Sequence, residues 1–412
     1  MRIVITGSIG AGKSTVITRL VTLLPGYFVV SADGLVRELY AHNEAFREEL
    51  RQRFGTVDRK EISALVLTGA HADNGAREWL ANLSLVHLAP VVDALFEKKN
   101  LIFEFPLFFE YPRWAQKADE VIMLDCPEAI RRERVKARDN ITDEMFDRIQ
   151  GNQLPDEVKR ALAHRVVFTG YSREDVEGQV ERLAATILAE TLHRRCDSFF
   201  QSDQVWPLVA AAYGQPHREY HTIRHLQELF VQLDAIRGTA ATNFGYWSAI
   251  ELAVWFHDFV YETDAQLYPH NEVYSAQEMV RVTRQHCSPT WQAFMTERLI
   301  LACLMVTATK THKVPDYLAK NAEQADALKL FLDADLAILA ASPDRLEAYD
   351  KGVRREWLCR IHSWSDEEFR RGRHAALTAL AQRESIFYSP QFKHLEPIAK
   401  NNLEALKQKY AS

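Results

Sequence analysis

The stretch Gly7-Ser8-Ile9-Gly10-Ala11-Gly12-Lys13-Ser14 satisfies the pattern GxxxxGKS, and it joins an apolar β-branched run, RIVIT, to an amphipathic run, STVITRLVTLL. Few motifs constrain a fold as tightly, because the chain must leave a strand, turn back and enter a helix whose first amides point at an anion. The backbone at Gly7, Gly10, Ala11 and Gly12 is predicted to approach phosphate oxygens, and Lys13 to add a cation. Ser14, followed by Thr15, offers a hydroxyl to Mg²⁺. A chance glycine-rich turn is the bland alternative, and the strand-to-helix context argues against it. The loop alone does not separate a kinase from a GTPase or a motor ATPase.

The runs that follow extend the same architecture. YFVVSA, LIFEF, EVIMLD and HRVVF alternate with amphipathic segments up to about residue 193, which predicts an α/β domain with a parallel sheet flanked by helices. Ser172 and Asp175 have the spacing of a capping box that opens a final helix, DVEGQVERLAATILAETLHRR. The boundary is predicted near Cys196, giving domains 1–195 and 196–412. From QVWPLVAAAY onward helical periodicity persists without alternating strand runs, so the second domain is predicted to be all-α. With 412 residues, no internal repeat and no Gly/Ser linker, two closely joined domains are expected.

Composition excludes several classes of partner. A net charge of −6 and an isoelectric point near 6.2 argue against broad affinity for nucleic acid or anionic membranes. Cys126, Cys196, Cys287, Cys303 and Cys359 are scattered with no CxxC pair, which predicts neither a disulfide framework nor a zinc knuckle and fits a reducing compartment. MRIVITG leads directly into the phosphate loop, leaving no room for a cleavable signal, and no apolar run is read as spanning length. A soluble cytoplasmic protein acting on small molecules is the expectation.

Beyond the loop, SADGLVRELY places Asp33 and Arg37 one helical turn apart just after the second strand. There a carboxylate can accept a proton from an acceptor hydroxyl, or simply cap a helix that carries a surface arginine. PEAIRRERVKARD spaces Arg131, Arg134 and Arg138 along one helix, as a cationic lid or as a solvated basic face. Together TGSIGAGKST, ADGLVREL, FGTVDRKEIS, FPLFFE, the arginine run and NQLPDEVKRALAHRVVF resemble dephospho-coenzyme A kinase over nearly all of residues 1–193. The resemblance implies that Lys13, Ser14 and Thr15 bind ATP phosphates and Mg²⁺, that Asp33 is the base toward a ribose 3′-hydroxyl, and that Arg138 belongs to the lid. This sequence departs from the family at Ser31, where Asp is usual, at Leu88, where Pro usually follows the histidine, and at Thr169, where Asn is usual nearby. Another nucleoside or nucleotide kinase is the alternative.

The second half carries ten of the fifteen histidines. REYHTIRHLQEL spaces His221 and His225 four apart, so that on a helix both face one side. AVWFHDFVYE adds His257 and Asp258, and KLFLDADLAILA adds Asp333 and Asp335 in a run too apolar to bury a free carboxylate cheaply. Two imidazoles and two carboxylates suit an octahedral Mn²⁺, Fe²⁺, Co²⁺ or Mg²⁺ that activates water toward phosphorus. This order resembles the HD superfamily of metal-dependent phosphohydrolases over roughly residues 198–400, and the YHxxxH arrangement is similar to that of cyclic-nucleotide phosphodiesterases. The resemblance implies that His225, His257, Asp258 and Asp335 are the ligands and His221 the proton donor, with Asp335 preferred to Asp333. Glu272, in PHNEVYSAQEM with Asn271 and Ser275, is read as a carboxylate reaching the metal's water. His312 is read as serving a second metal or the substrate phosphate, or as a solvated loop residue. Arg354 and Arg373 are candidate phosphate clamps or plain surface arginines. The expectation is a bifunctional enzyme, and its alternative is a kinase with a metal- or nucleotide-binding regulatory module that does not turn over.

Overall fold

The computed structural model describes residues 1–67, 74–237, 245–264, 270–358 and 364–411; Cys359 lies outside them. The apolar runs form strands β1 (Arg2–Thr6), β2 (Phe28–Ser31), β3 (Leu101–Glu104), β4 (Glu120–Asp125) and β5 (Arg165–Phe168). They make one five-stranded parallel sheet in the order β2-β3-β1-β4-β5. β4 is buried along its whole length, and β1 nearly so. This follows from helices covering both faces of a parallel sheet, which makes central strands continuously apolar rather than alternating. The helices are α1 (Lys13–Leu23), α2 (Ala32–His42), α3 (Glu44–Phe54), α4 (Arg59–Leu67), α5 (Asn74–Phe96), α6 (Glu128–Asp139), α7 (Asp143–Gln150), α8 (Asp156–Leu162) and α9 (Arg173–Phe200). Because β1 has β3 on one side and β4 on the other, the chain reverses direction across the sheet at β1. In open α/β sheets, ligands bind outside the strand carboxyl ends at such a point.

Within α5, Gly75–Phe96 is apolar and long enough to cross a membrane by length and composition, which corrects the expectation that no apolar run reaches spanning length. In this unit it buries one face in the core, where Ala76 and Leu83 join Leu39 and Phe46 and Ala89, Val92 and Phe96 join Phe103 and Trp114, while Val86 and Val91 stay exposed. Its Asp93 accepts hydrogen bonds from Trp114 Nε1 and Lys117 Nζ, each at 2.9 Å.

The chain divides into two compact units, Met1–Thr186 and Ile187–Ser412. The division falls inside α9, ahead of the boundary that the sequence placed near Cys196. A single uninterrupted helix carries buried residues on both sides of it, Val180, Leu183 and Ala184 before and Leu192, Cys196 and Phe200 after. No change of composition therefore marks the place. Ser172 Oγ accepts from Asp175 N at 3.2 Å, so the predicted cap does open this helix.

In the second unit the described regular elements after α9 are helical. They are α10 (Val205–Tyr213), α11 (Ile223–Arg237), α12 (Trp247–Phe256), α13 (Asn271–His286), α14 (Pro289–Ala308), α15 (Ala322–Leu336), α16 (Pro343–Trp357), α17 (Asp366–Ala381) and α18 (Glu396–Tyr410), with short 3₁₀ turns. Leu252 through Phe256 of α12 are all buried, because α11, α13, α14 and α15 pack around it. A helix that is apolar on every side belongs at the centre of its domain.

Two glycines make the phosphate loop possible. Gly7 has φ +140° and a Cβ there would stand 2.6 Å from Leu124 O; Gly10 has φ +80° and its Cβ would stand 2.7 Å from Arg131 O. Gly10→Ala therefore combines a disfavoured backbone region with a backbone clash, and is expected to cost about 1–3 kcal/mol. Chemical denaturation of the two forms checks it.

Candidate active sites

The phosphate loop opens onto a cavity of ≈ 840 Å³. Gly12, Lys13, Ser14 and Thr15 line one side of it, Asp33 and Arg37 of α2 another, and Arg134 and Arg138 of α6 a third, with Phe105, Tyr111 and Trp114 forming an aromatic wall. Lys13 Nζ donates to Gly7 O at 2.9 Å and to Ser8 O at 3.2 Å. Desolvation lowers its pKa to about 8, although Glu104 and Asp33 pull the other way. Thr169 Oγ1 donates to Ala11 O at 2.8 Å, and Arg134 Nη2 donates to Thr169 O at 2.9 Å. The threonine thus braces the loop.

The three arginines of α6 do not share a role. Arg131 is buried, and its guanidinium donates to Cys126 O, Ile9 O, Gln150 Oε1 and Asp156 Oδ2. It fastens the loop to α6 and belongs neither to a lid nor to a solvated face. Arg134 and Arg138 are exposed, the first donating to Thr169 O and the second paired with Asp139, and both line the cavity. Spacing placed all three on one helix, but the packing of the following helices decides which of them meets solvent.

In the second unit, His225, His257 and Asp335 each bring a ligand atom within 4.8 Å of the others. His225 Nε2 and His257 Nε2 are 3.0 Å apart, and Asp335 Oδ1 stands 3.2 Å from the first and 3.7 Å from the second. Asp258 Oδ2 lies 3.0 Å from His257 Nε2 and 3.7 Å from His225 Nε2. His257 Nδ1 is 3.0 Å from Val254 O. A carbonyl only accepts, so Nδ1 carries the proton and the Nε2 lone pair of a neutral ring faces the cluster. Burial pushes His257 down, but Asp258 with Asp335 outweighs it and raises the pKa to about 9. Both carboxylates are held below their ordinary range by these imidazoles, against burial. The cluster therefore stabilises positive charge at its centre, and its nitrogen and oxygen donors fit a divalent cation.

His312 Nε2 donates to Asp335 Oδ2 at 2.9 Å, so it orients that carboxylate from outside. Its backbone has φ +47°, held by Tyr388 Oη and Arg383 Nη1 on its carbonyl. Asp333 lies elsewhere: it is buried and accepts from Tyr388 N, Ser389 N and Ser389 Oγ. Glu272 Oε2 is buried without a hydrogen-bond partner among the described residues. Burial raises its pKa, with Asp258 adding to the effect. Asn271 and Ser275 pin the chain after Asp258 through Glu262 and Val260. Arg354 pairs with Asp366 at the surface, and Arg373 is enclosed with buried Asp350. Neither joins the cluster.

His221 precedes α11 instead of lying on it, a correction to the helical reading of its spacing. The cause is Glu356, fully buried, whose Oε1 accepts from the amides of Glu219, Tyr220 and His221 at 2.7–2.8 Å. Its Oε2 accepts from His221 Nδ1 at 2.7 Å, which leaves Nε2 directed toward Asp258 Oδ2 at 3.9 Å. Arg218 also escaped the sequence reading. It donates to the carbonyls of His221, Asp258 and Phe259 and so joins the two segments. The only signal for either residue was a charge in an otherwise half-apolar helix or turn.

A parallel sheet with a phosphate loop at its switch point, a carboxylate across the cavity and arginines at its mouth defines a P-loop kinase-type domain. The family described as Dephospho-CoA kinase matches residues 1–173. Dephospho-CoA kinase of Albidiferax ferrireducens is 31% identical over 186 residues, which span 41% of this chain and 83% of that protein. Its namesake from Rhizobium etli is 30% identical over 207 residues, 45% of this chain and 94% of that protein. The one from Novosphingobium aromaticivorans is 33% identical over 198 residues, 44% of this chain and 92% of that protein. Through its first unit the chain belongs to the dephospho-CoA kinase family.

The Glu356 carboxylate has a pH signature. Burial alone would raise its pKa, but His221 and the amides lower it from the ordinary 4.5 to about 2. Its contribution to stability is therefore complete above about pH 4.5 and is lost as the pH falls toward 2. Glu356→Gln is expected to be less stable than wild type at neutral pH, with the gap closing across that window. Urea unfolding as a function of pH reads it.

Proposed function

We propose that the chain is an enzyme with two active sites. The first transfers the γ-phosphoryl group of ATP to the ribose 3′-hydroxyl of dephospho-CoA, and the second, on an HD-type helical domain, hydrolyses a phosphoester. Family membership supports the first reading, together with the placement of Asp33 across one cavity from Lys13. In that site the loop amides and Lys13 hold the phosphates, Arg138 approaches from the mouth, and Asp33 accepts the proton of the acceptor hydroxyl. Ser14 offers its hydroxyl to Mg²⁺, which in such sites neutralises phosphate charge.

For the second site the supporting observation is the buried cluster of His225, His257 and Asp335 with Asp258 beside it. These four would hold a divalent cation such as Mn²⁺, Fe²⁺, Co²⁺ or Mg²⁺, which when bound supplies a Lewis acid for a phosphoryl oxygen and acidifies water. His221 does the protein's own proton work. Its Nδ1 proton is committed to Glu356, the neighbouring carboxylates raise its pKa against burial, and Nε2 is left to protonate the leaving oxygen. Glu272, whose buried Oε2 has no hydrogen-bond partner among the described residues and whose pKa is raised by burial with Asp258 adding to it, is assigned to take or return a proton at the same site.

Lys13→Ala is expected to abolish phosphorylation of dephospho-CoA, and Asp33→Asn to lower turnover severely while ATP affinity stays within a few fold. A nucleoside monophosphate accepted in place of inert dephospho-CoA would contradict the acceptor assignment.

At the second site, Asp258→Ala and Asp335→Ala are each expected to lose bound metal and phosphoesterase activity with Mn²⁺. His221→Ala should keep the metal while turnover falls ~10²–10⁴-fold, and less for a nitrophenyl ester, whose leaving group needs little protonation. Metal analysis alongside turnover separates these roles. Metal bound without any hydrolysis across a phosphoester panel would instead favour a regulatory module.

A further inference from the structure

Lys159 of α8 is fully buried, yet it carries an amine. Its hydrogen-bond partners are neutral: Ser8 Oγ at 3.3 Å and Gln153 Oε1 at 3.2 Å. Burying an amine is costly even where the carboxylates of Glu110 and Asp156 favour its charge, and an apolar side chain of the same length would fill the space at lower cost. Desolvation accordingly lowers its pKa. Something other than packing must account for the amine.

Its neighbourhood supplies the answer. Ser8 is the second residue of the phosphate loop, and Lys13 donates to the Ser8 carbonyl at 3.2 Å while Lys159 donates to the Ser8 hydroxyl at 3.3 Å. Two lysine amines thus meet on one loop residue, close enough for Lys159 to disfavour the charge on Lys13. Ser8 Oγ in turn donates to Asp156 Oδ1 at 2.5 Å, Asp156 Oδ2 accepts from Arg131 Nη2 at 2.9 Å, and Arg131 Nη1 returns to Ile9 O at 3.3 Å. The circuit closes on adjacent residues of the loop. Gln153, the other partner of Lys159, lines the nucleotide cavity.

We propose that Lys159 is a positioning residue for phosphoryl transfer, holding Ser8 and Gln153 so that the loop presents its amides and Lys13 to the triphosphate of ATP. The inference rests on the kinase reading of this cavity. An anionic triphosphate relieves the mutual repulsion of the two lysines, so the arrangement is matched to the occupied loop. Lys159 itself acts through its partners, since Gln153 lines the cavity and Ser8 carries the carbonyl that accepts from Lys13.

The test uses the full chain and measures Mg-ATP binding by calorimetry, which needs no acceptor, beside steady-state kinetics with dephospho-CoA. Lys159→Met is expected to weaken Mg-ATP binding about tenfold or more, the scale of a lost charge-assisted hydrogen bond, with KM for dephospho-CoA within twofold of wild type. Ser8→Ala should weaken Mg-ATP in the same direction, and Ser8→Ala/Lys159→Met should be no worse than the poorer single variant. A purely structural lysine would lower the melting temperature and impair both substrates alike, and that result overturns the proposal. So does unchanged Mg-ATP affinity in a folded Lys159→Met, or effects that multiply in the double variant. If Lys159→Met does not fold, Ser8→Ala decides: wild-type affinity there overturns the proposal, and weakened affinity with unchanged KM for dephospho-CoA supports it. A wild-type chain that binds Mg-ATP but leaves dephospho-CoA untouched contradicts the acceptor assignment, while the binding measurements still decide the role of Lys159.

Discussion

His225 Nε2 and His257 Nε2 stand 3.0 Å apart inside a helical unit, where neither ring is more than 2% exposed. Two ring nitrogens at that distance share a proton in an N–H···N bond or face a common cation, and positive charge there is favoured. The carboxylates of Asp258 and Asp335 supply the reason for it to be there, raising His257 and being lowered in return. Much of the second unit is arranged around this demand. Val254 O fixes the His257 tautomer, His312 holds the outer oxygen of Asp335, and Arg218 and Glu356 pin the segment that carries His221.

The first unit meets the opposite demand. Its phosphate loop collects amides and cations for an anion, and buried Arg131 and Lys159 add cationic groups behind it, with the carboxylates of Asp156 and Glu110 beside them. A phosphate site and a cation site are complementary solutions to the same problem, since each concentrates one sign of charge in a dry place and leaves the ligand to balance it. That is why phosphoryl transfer is readable from the side chains of the first unit, and why the cluster of the second supports the hydrolysis proposed for it. The wanted ligand is written in the unbalanced charge.

Sequence patterns disclosed what is local. The five strands appear as apolar runs within a residue or so of their observed ends, the loop GSIGAGKS determines its own context, and His257-Asp258 stands out because two polar groups interrupt an apolar run just past the end of α12. What escaped depends on distant partners. Glu356 meets His221 across 135 residues and Lys159 meets Ser8 across 151, and no spacing rule links such pairs. The same limit explains the corrections. A four-residue spacing placed His221 on a helix, but Glu356 takes three successive amides there and holds a turn instead. Arg131, Arg134 and Arg138 share one helix, but α7 and α8 decide that the first is enclosed and the last is not. The division between the units is silent in composition because α9 runs through it.

The central claim is that the imidazole and carboxylate cluster exists to hold a divalent cation. It is tested most directly by titrating the nucleotide-free, chelator-stripped chain with Co²⁺ and recording its visible absorption. The account expects a saturable band of protein-bound cobalt that excess chelator removes and that His225→Ala together with His257→Ala abolishes. A spectrum that stays that of the aqueous ion throughout the wild-type titration, or a band that survives loss of both histidines, would contradict it.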